Sequence, residues 1–185
     1  MKYFSSRKGG SGFRKLLFAI LFFTTSFFSQ QLKAQSYCIP VYGYGACDEF
    51  ISSVVIGTIN NGSSCNNTQY EDFSSTFTDV TQGLNEPITV TVGPPSYTGD
   101  EVAIFVDWNQ DYDFLDAGEM AGTLTDQGGG IFSGTVNVPL TATLGLTRMR
   151  VMMTYYTTPA GCNENASFFG ESEDYSVNVQ PAPSC

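Results

Sequence analysis

From about residue 50 onward, apolar and polar residues alternate with a period of two, and no helical period of useful length interrupts them. The alternation predicts strands over Ser53–Ile59, Ile88–Val92, Val102–Val106, Phe132–Val138, Arg148–Thr154 and Tyr175–Val179, all rich in β-branched or aromatic residues. Successive strand side chains point to opposite faces, so Val102, Ile104 and Val106 share a face. The same holds for Met149, Val151 and Met153, and for Tyr175, Val177 and Val179; these faces are the expected core. Turn chemistry separates the runs at Asn60-Asn61-Gly62, Gly93-Pro94-Pro95, Gly99-Asp100, Gly128-Gly129-Gly130 and Pro159-Ala160-Gly161. Short strands at this spacing, without an internal repeat, predict one all-β domain: an antiparallel β-sandwich, jelly-roll-like, over residues 37–180.

The first 34 residues do not share this pattern. Lys2, Arg7, Lys8, Arg14 and Lys15 make a cationic start, Leu16 to Phe28 is an apolar run, and Ala34 stands at a plausible cleavage point. That order is the form of a secretory signal peptide over residues 1–34. The apolar run is well short of the roughly 20 residues that span a bilayer. The expected location is therefore outside the cell or on its surface, with no membrane insertion after cleavage.

Removing the leader changes the charge. Beyond Ala34 the only cations are Arg148 and Arg150, set against all 18 acidic residues of the chain. Such a surface repels nucleic acid and anionic lipid. Arg148 and Arg150 sit two apart on one strand, on the same face, and are expected to form structural ion pairs with nearby carboxylates. There is no histidine in the chain and no lysine after residue 34, which removes Ser-His-Asp, Cys-His and zinc-peptidase chemistry and Schiff-base formation. A carboxylate pair for glycan hydrolysis, drawn from Asp107, Glu119 and Glu171, is the one catalytic device left, and acids are so abundant that a pair means little.

Five cysteines, Cys38, Cys47, Cys65, Cys162 and Cys185, read as disulfides in an exported chain, with Cys185 left over behind a linker-like stub at 181–185. That tail also fits a chain that is the amino-terminal part of a larger secreted peptidase or adhesin.

The acids concentrate in two places. In the stretch Asp107–Glu119, Asp107, Asn109 and Asp111 occupy first, third and fifth places of a calcium-type loop, with the Asp113 carbonyl next and Asp116 or Glu119 closing the shell. Tyr112 stands where such a loop wants glycine, because positive φ is costly for a residue with a Cβ. A solvated acidic hairpin is the alternative. The second cluster is Glu171, Glu173 and Asp174, for which Arg148 and Arg150 are the expected partners and a second calcium contact is possible. Trp108 and Tyr112, with Tyr155 and Tyr156, could stack on a sugar, or simply pack in the core and its rim.

Four stretches in order, Ile56-Gly57-Thr58-Ile59-Asn60, Asp107–Glu119, Thr147-Arg148-Met149-Arg150-Val151 and Gly170-Glu171-Ser172-Glu173-Asp174-Tyr175, resemble the GEVED domain of secreted bacterial proteins. Ser172 stands where that family usually has valine, and Tyr112 departs from its common glycine. The resemblance implies a non-catalytic accessory sandwich of the kind found beside secreted peptidases, adhesion repeats and sorting tails. It also implies the pairing Cys38–Cys162, which leaves Cys47–Cys65. The expected function is a calcium-stabilised binding module whose partner is a cell-surface glycan or protein, or a further domain of the same polypeptide.

Overall fold

The computed structural model describes residues 1–2, 36–43, 47–65, 67–162 and 169–184; the signal peptide expected at 1–34 and the leftover Cys185 fall almost wholly outside them. Contacts divide the chain into Met1–Lys33 and Ala34–Cys185, and the fold below is that of the second unit.

Ten strands follow in order: β1 (Ile51–Ile56), β2 (Ile59–Gly62), β3 (Tyr70–Thr81), β4 (Asn85–Val92), β5 (Asp100–Val106), β6 (Met120–Thr123), β7 (Thr125–Asp126), β8 (Ile131–Asn137), β9 (Gly145–Tyr155) and β10 (Gly170–Gln180). They form two five-stranded sheets, ordered β2-β1-β4-β8-β7 and β3-β10-β9-β5-β6. One core cluster lies between the sheets. It takes Val54, Ile56, Ile88, Val90, Val92, Phe132 and Val136 from one side, and all nine residues of the expected core faces of β5, β9 and β10 from the other. Each such buried side chain contributes roughly 1.5–3 kcal/mol relative to exposure. No helix among the described residues is long and apolar enough to cross a membrane.

Three expectations need correction. The strand expected over Ser53–Ile59 is broken at Gly57 and Thr58, where the chain turns. Gly57 has φ of +52°, and a Cβ there would strike the Thr78 hydroxyl, so glycine is required at that point. The stretch Asn60-Asn61-Gly62, expected as a turn, therefore belongs to β2 and pairs antiparallel with β1. The sandwich is also not wholly antiparallel: β10 pairs parallel with β3, a long strand absent from the expected set.

β10 and β9 run through the middle of their sheet and are buried almost throughout. On the outer side of this sheet Ala103 and Phe105 of β5 and Met152 of β9 form a second cluster with Phe114, and Tyr37 packs against it. The covering comes from the amino-terminal segment and from the 107–119 loop, so the acidic loop is fastened to the sheet by its own Phe114. A Cβ on Gly161 would meet the Phe114 side chain at 2.5 Å, which is why that close approach needs glycine. Disulfides Cys38–Cys162 and Cys47–Cys65 tie the amino-terminal segment to the loop after β9 and close the connection around β1 and β2.

Candidate metal centre

The 107–119 loop joins β5 to β6, whose pairing brings the Glu119 carbonyl to the Val106 amide (2.8 Å). Its geometry is organised by Asp107, which is fully buried. The Asp107 carboxylate accepts the backbone N–H groups of Gln110 (2.6 Å), Asp111 (3.1 Å) and Tyr112 (3.0 Å), and the Tyr37 hydroxyl (2.6 Å). The Asp107 carbonyl is held by Thr147 Oγ1 at 2.6 Å. Tyr112 does take positive φ (+75°), as does Gln110 (+63°). The strain is offset by the Tyr112 N–H bond to Asp107 and by packing of its ring on Tyr37, centroids 5.4 Å apart. The residue that seemed to forbid the tight loop thus adopts it.

Glu119 returns to the same place. It accepts the Trp108 and Asp116 amides (3.1 and 3.2 Å) and is buried. Burial first, and then the Asp107 charge, push its carboxyl up to about 7. Carboxylate oxygens of Asp107, Asp111 and Glu119 all lie within 4.8 Å of one another, and a second such group is Asp111, Asp113 and Asp116. Two oxygens that both touch a calcium ion at 2.3–2.6 Å can stand at most about 5 Å apart, so both groups have the span of a calcium shell. Asp111 belongs to both. Asn109 turns its amide N–H groups to Asp111 (3.0 Å) and Asp116 (2.6 Å), while its oxygen accepts the Asp111 N–H (3.1 Å). It therefore bridges the acids as a donor.

Trp108 is 5% exposed and belongs to the central core cluster, and its indole nitrogen has no hydrogen-bond partner among the described residues. Tyr112 is exposed at the loop surface. Tyr155 is half-buried and Tyr156 exposed, their rings 4.5 Å apart.

The second acidic cluster divides between two faces of β10. Asp174 faces the arginines and receives Arg150 Nε at 2.7 Å and Nη2 at 2.9 Å, and Arg148 Nη1 at 3.0 Å. The remaining Arg150 N–H groups reach the carbonyls of Gly161 (2.7 Å) and Cys38 (2.8 Å) and the Cys38 sulfur (3.3 Å), while its plane lies 4.8 Å from the Phe114 centroid. All five guanidinium donors are engaged. Arg148 also meets Asp72 of β3 at 3.6 Å, a partner the sequence did not single out.

Glu171 and Glu173, expected among the arginine partners, face the other way. Side chains alternate along a strand, so the neighbours of Asp174 on β10 point into the gap between sheets. Glu171 accepts the Ile51 N–H at 2.5 Å; Glu173 accepts the hydroxyls of Ser63 (2.5 Å) and Tyr175 (2.6 Å). Burial is the main force raising both carboxyls, Glu171 to about 8 and Glu173 to about 7. They act as fasteners from β10 to the opposite sheet.

Residues 101–178 match the family model of the GEVED domain. The matched stretch runs from the second residue of β5 almost to the end of β10, and so contains the acidic loop, the arginine pair and the buried carboxylates. A search of the curated proteins returns no match.

Proposed function

Residues 101–178 belong to the GEVED domain family, and from that premise we propose that the chain is an exported, non-catalytic binding module stabilised by calcium at the 107–119 loop. The observation that carries the calcium reading is the approach of Asp107, Asp111 and Glu119 oxygens within 4.8 Å of one another. Three carboxylates that close repel one another strongly unless a cation lies among them. Asp107 and Glu119 hold the loop through backbone amides, and the exposed Asp111, with Asp113 and Asp116, supplies the open side of the shell. Bound calcium would join the start of the loop to its end and so hold β5, β6 and the Phe114 anchor in register.

Export is supported by the two disulfides and by the cationic-then-apolar start of the chain. The non-catalytic reading rests on the absence of histidine and on the structural employment of Asp174, Glu171 and Glu173. The partner in this reading is a surface glycan or protein, or a further domain of the same polypeptide. The test is calorimetric titration of calcium into the purified, chelator-treated protein. Saturable binding that weakens on Asp111→Ala is expected; no heat up to millimolar calcium, with wild type and variant indistinguishable, would sink the reading.

A further inference from the structure

Tyr112 and Gln110 hold positive φ, at +75° and +63°, a conformation that glycine takes without strain. Both nevertheless carry long polar side chains, and both line one pocket of about 190 Å³. The pocket lies where the 107–119 loop meets the outer face of β9 and β10. Leu146 and Arg148 of β9 alternate to that face, and Ser176 pairs with Arg148 across the ladder. Tyr37 and Thr147 complete the lining.

Several polar groups of this lining are unused. Arg148 donates to Asp174 through Nη1 (3.0 Å), and its Nε and Nη2 donors meet no acceptor among the described residues, on a side chain that is 20% exposed. Gln110 spends its Nε2 on the Thr143 and Leu144 carbonyls (3.3 and 3.4 Å), which leaves Oε1 as an acceptor with no donor among the described residues. The Tyr112 hydroxyl has no partner among them either, and Tyr112 and Leu146 are both exposed. The Tyr37 ring is already covered, with Arg148 over it at 4.9 Å and Phe114 stacked on it at 5.2 Å. Tyr112 therefore offers the open ring.

Charge decides the class of ligand. The Arg148 charge is matched by Asp174 and, at 3.6 Å, by Asp72, while Asp107 stands bonded to Tyr37. An anionic ligand would meet more negative charge than positive, and an ammonium would meet Arg148. A neutral ligand that both donates and accepts fits the free groups: guanidinium donors, an amide acceptor and a hydroxyl that can do either. The tyrosine ring and Leu146 suit an apolar C–H face on the same ligand. Those are the features of a sugar ring. The volume is that of about six waters at roughly 30 Å³ each, which suits one ring. A peptide strand has no edge to join here, because β9 and β10 are flanked by paired strands on both sides.

We propose that this pocket binds one neutral hexose ring of a surface glycan, with Tyr112 against its apolar face and Arg148 and Gln110 on its hydroxyls. The proposal names the ligand class of the binding module described above and rests on that reading. It does not require calcium, because the Asp107 carboxylate itself holds the Gln110 and Tyr112 amides.

The test is an amide-resolved NMR titration of the full chain, first with calcium and then with the methyl glycosides of glucose, galactose and mannose. Methyl glucuronide and a tri-alanine peptide are the comparison arms. At least one neutral glycoside is expected to saturate shifts at Gln110, Tyr112, Thr147 and Ser176, with the glucuronide weaker and the peptide silent. Tyr112→Gly suits the positive φ, so the loop keeps its fold, and it should weaken the glycoside about tenfold, the scale of one aromatic contact. Gln110→Gly is equally unstrained and should act in the same direction. No saturation by any of the glycosides, an equal or stronger response to the glucuronide, saturation by the peptide, or unchanged affinity in Tyr112→Gly would each overturn the assignment. Calcium shifts at Asp111 and Asp116 beside a silent pocket would sink the sugar site and spare the calcium reading; a saturable pocket without a calcium response would do the reverse.

Discussion

Replacing Asp174 by asparagine removes one charge from a fully buried ion pair with almost no change in side-chain volume. Arg150 and Asp174 are both 0% exposed, so water cannot compensate the guanidinium once its partner is neutral. The change leaves two carbonyls and a sulfur around Arg150 and weakens the bonds from Arg148 and from the Tyr70 hydroxyl (2.9 Å) to the same carboxylate. Breaking one side of a buried pair typically costs about 3–5 kcal/mol. With a urea slope of about 2 kcal/mol/M, the unfolding midpoint of Asp174→Asn should fall by roughly 2 M. Asp72→Asn is the internal control: its side chain is half exposed and stands 3.6 Å from Arg148, so its loss should stay under about 1 kcal/mol. The assay is urea denaturation at neutral pH, followed by tyrosine and tryptophan fluorescence with the disulfides intact. Equal, small losses for the two variants would refute the idea that Arg150 clamps β10, the Cys38 segment and the Gly161 loop together.

Other expectations follow from the same contacts. Cys38–Cys162 spans 124 residues and Cys47–Cys65 spans 18; in the chain-entropy model, Cys→Ser pairs should cost about 5 and about 3 kcal/mol respectively, read by denaturation, with the pairing itself read by mass spectrometry of unreduced peptides. Glu171 and Glu173 are raised above ordinary carboxylates in the folded state, to about 8 and about 7. The folded protein then binds more protons than the unfolded one between about pH 4.5 and 8, so their contribution to stability is present below that window and lost as pH rises through it. Glu173→Gln should accordingly flatten the decline in melting temperature between pH 5 and about 8; a slope identical to wild type would contradict the buried-carboxyl assignment.

Much of the sandwich was legible because its central strands alternate cleanly: Val102-Ile104-Val106 and Met149-Val151-Met153 turn one apolar side to the core. β3 was not, because it is an edge strand with only Thr78 and Val80 buried, and its polar sequence carries no periodic signal. The parallel join of β3 to β10 follows from long-range pairing that no local pattern encodes. The acidic loop was recognisable from its 1-3-5 spacing, whereas the Tyr37 bond to Asp107 joins residues 70 apart and left no trace in sequence. Glu171 and Glu173 were misread because acids leading into a strand ordinarily face water or a cation. Here a central strand, covered on both sides, carries them into the gap between sheets, where amide and hydroxyl donors await them.

The central claim, that the 107–119 loop holds calcium, is tested most directly by growing crystals of the protein in calcium and measuring anomalous scattering. A peak among Asp107, Asp111 and Glu119, or in the adjoining Asp111, Asp113 and Asp116 group, with oxygens about 2.3–2.6 Å away, is the expected result. Calcium located only elsewhere, or a loop without a peak at saturating calcium, would contradict it.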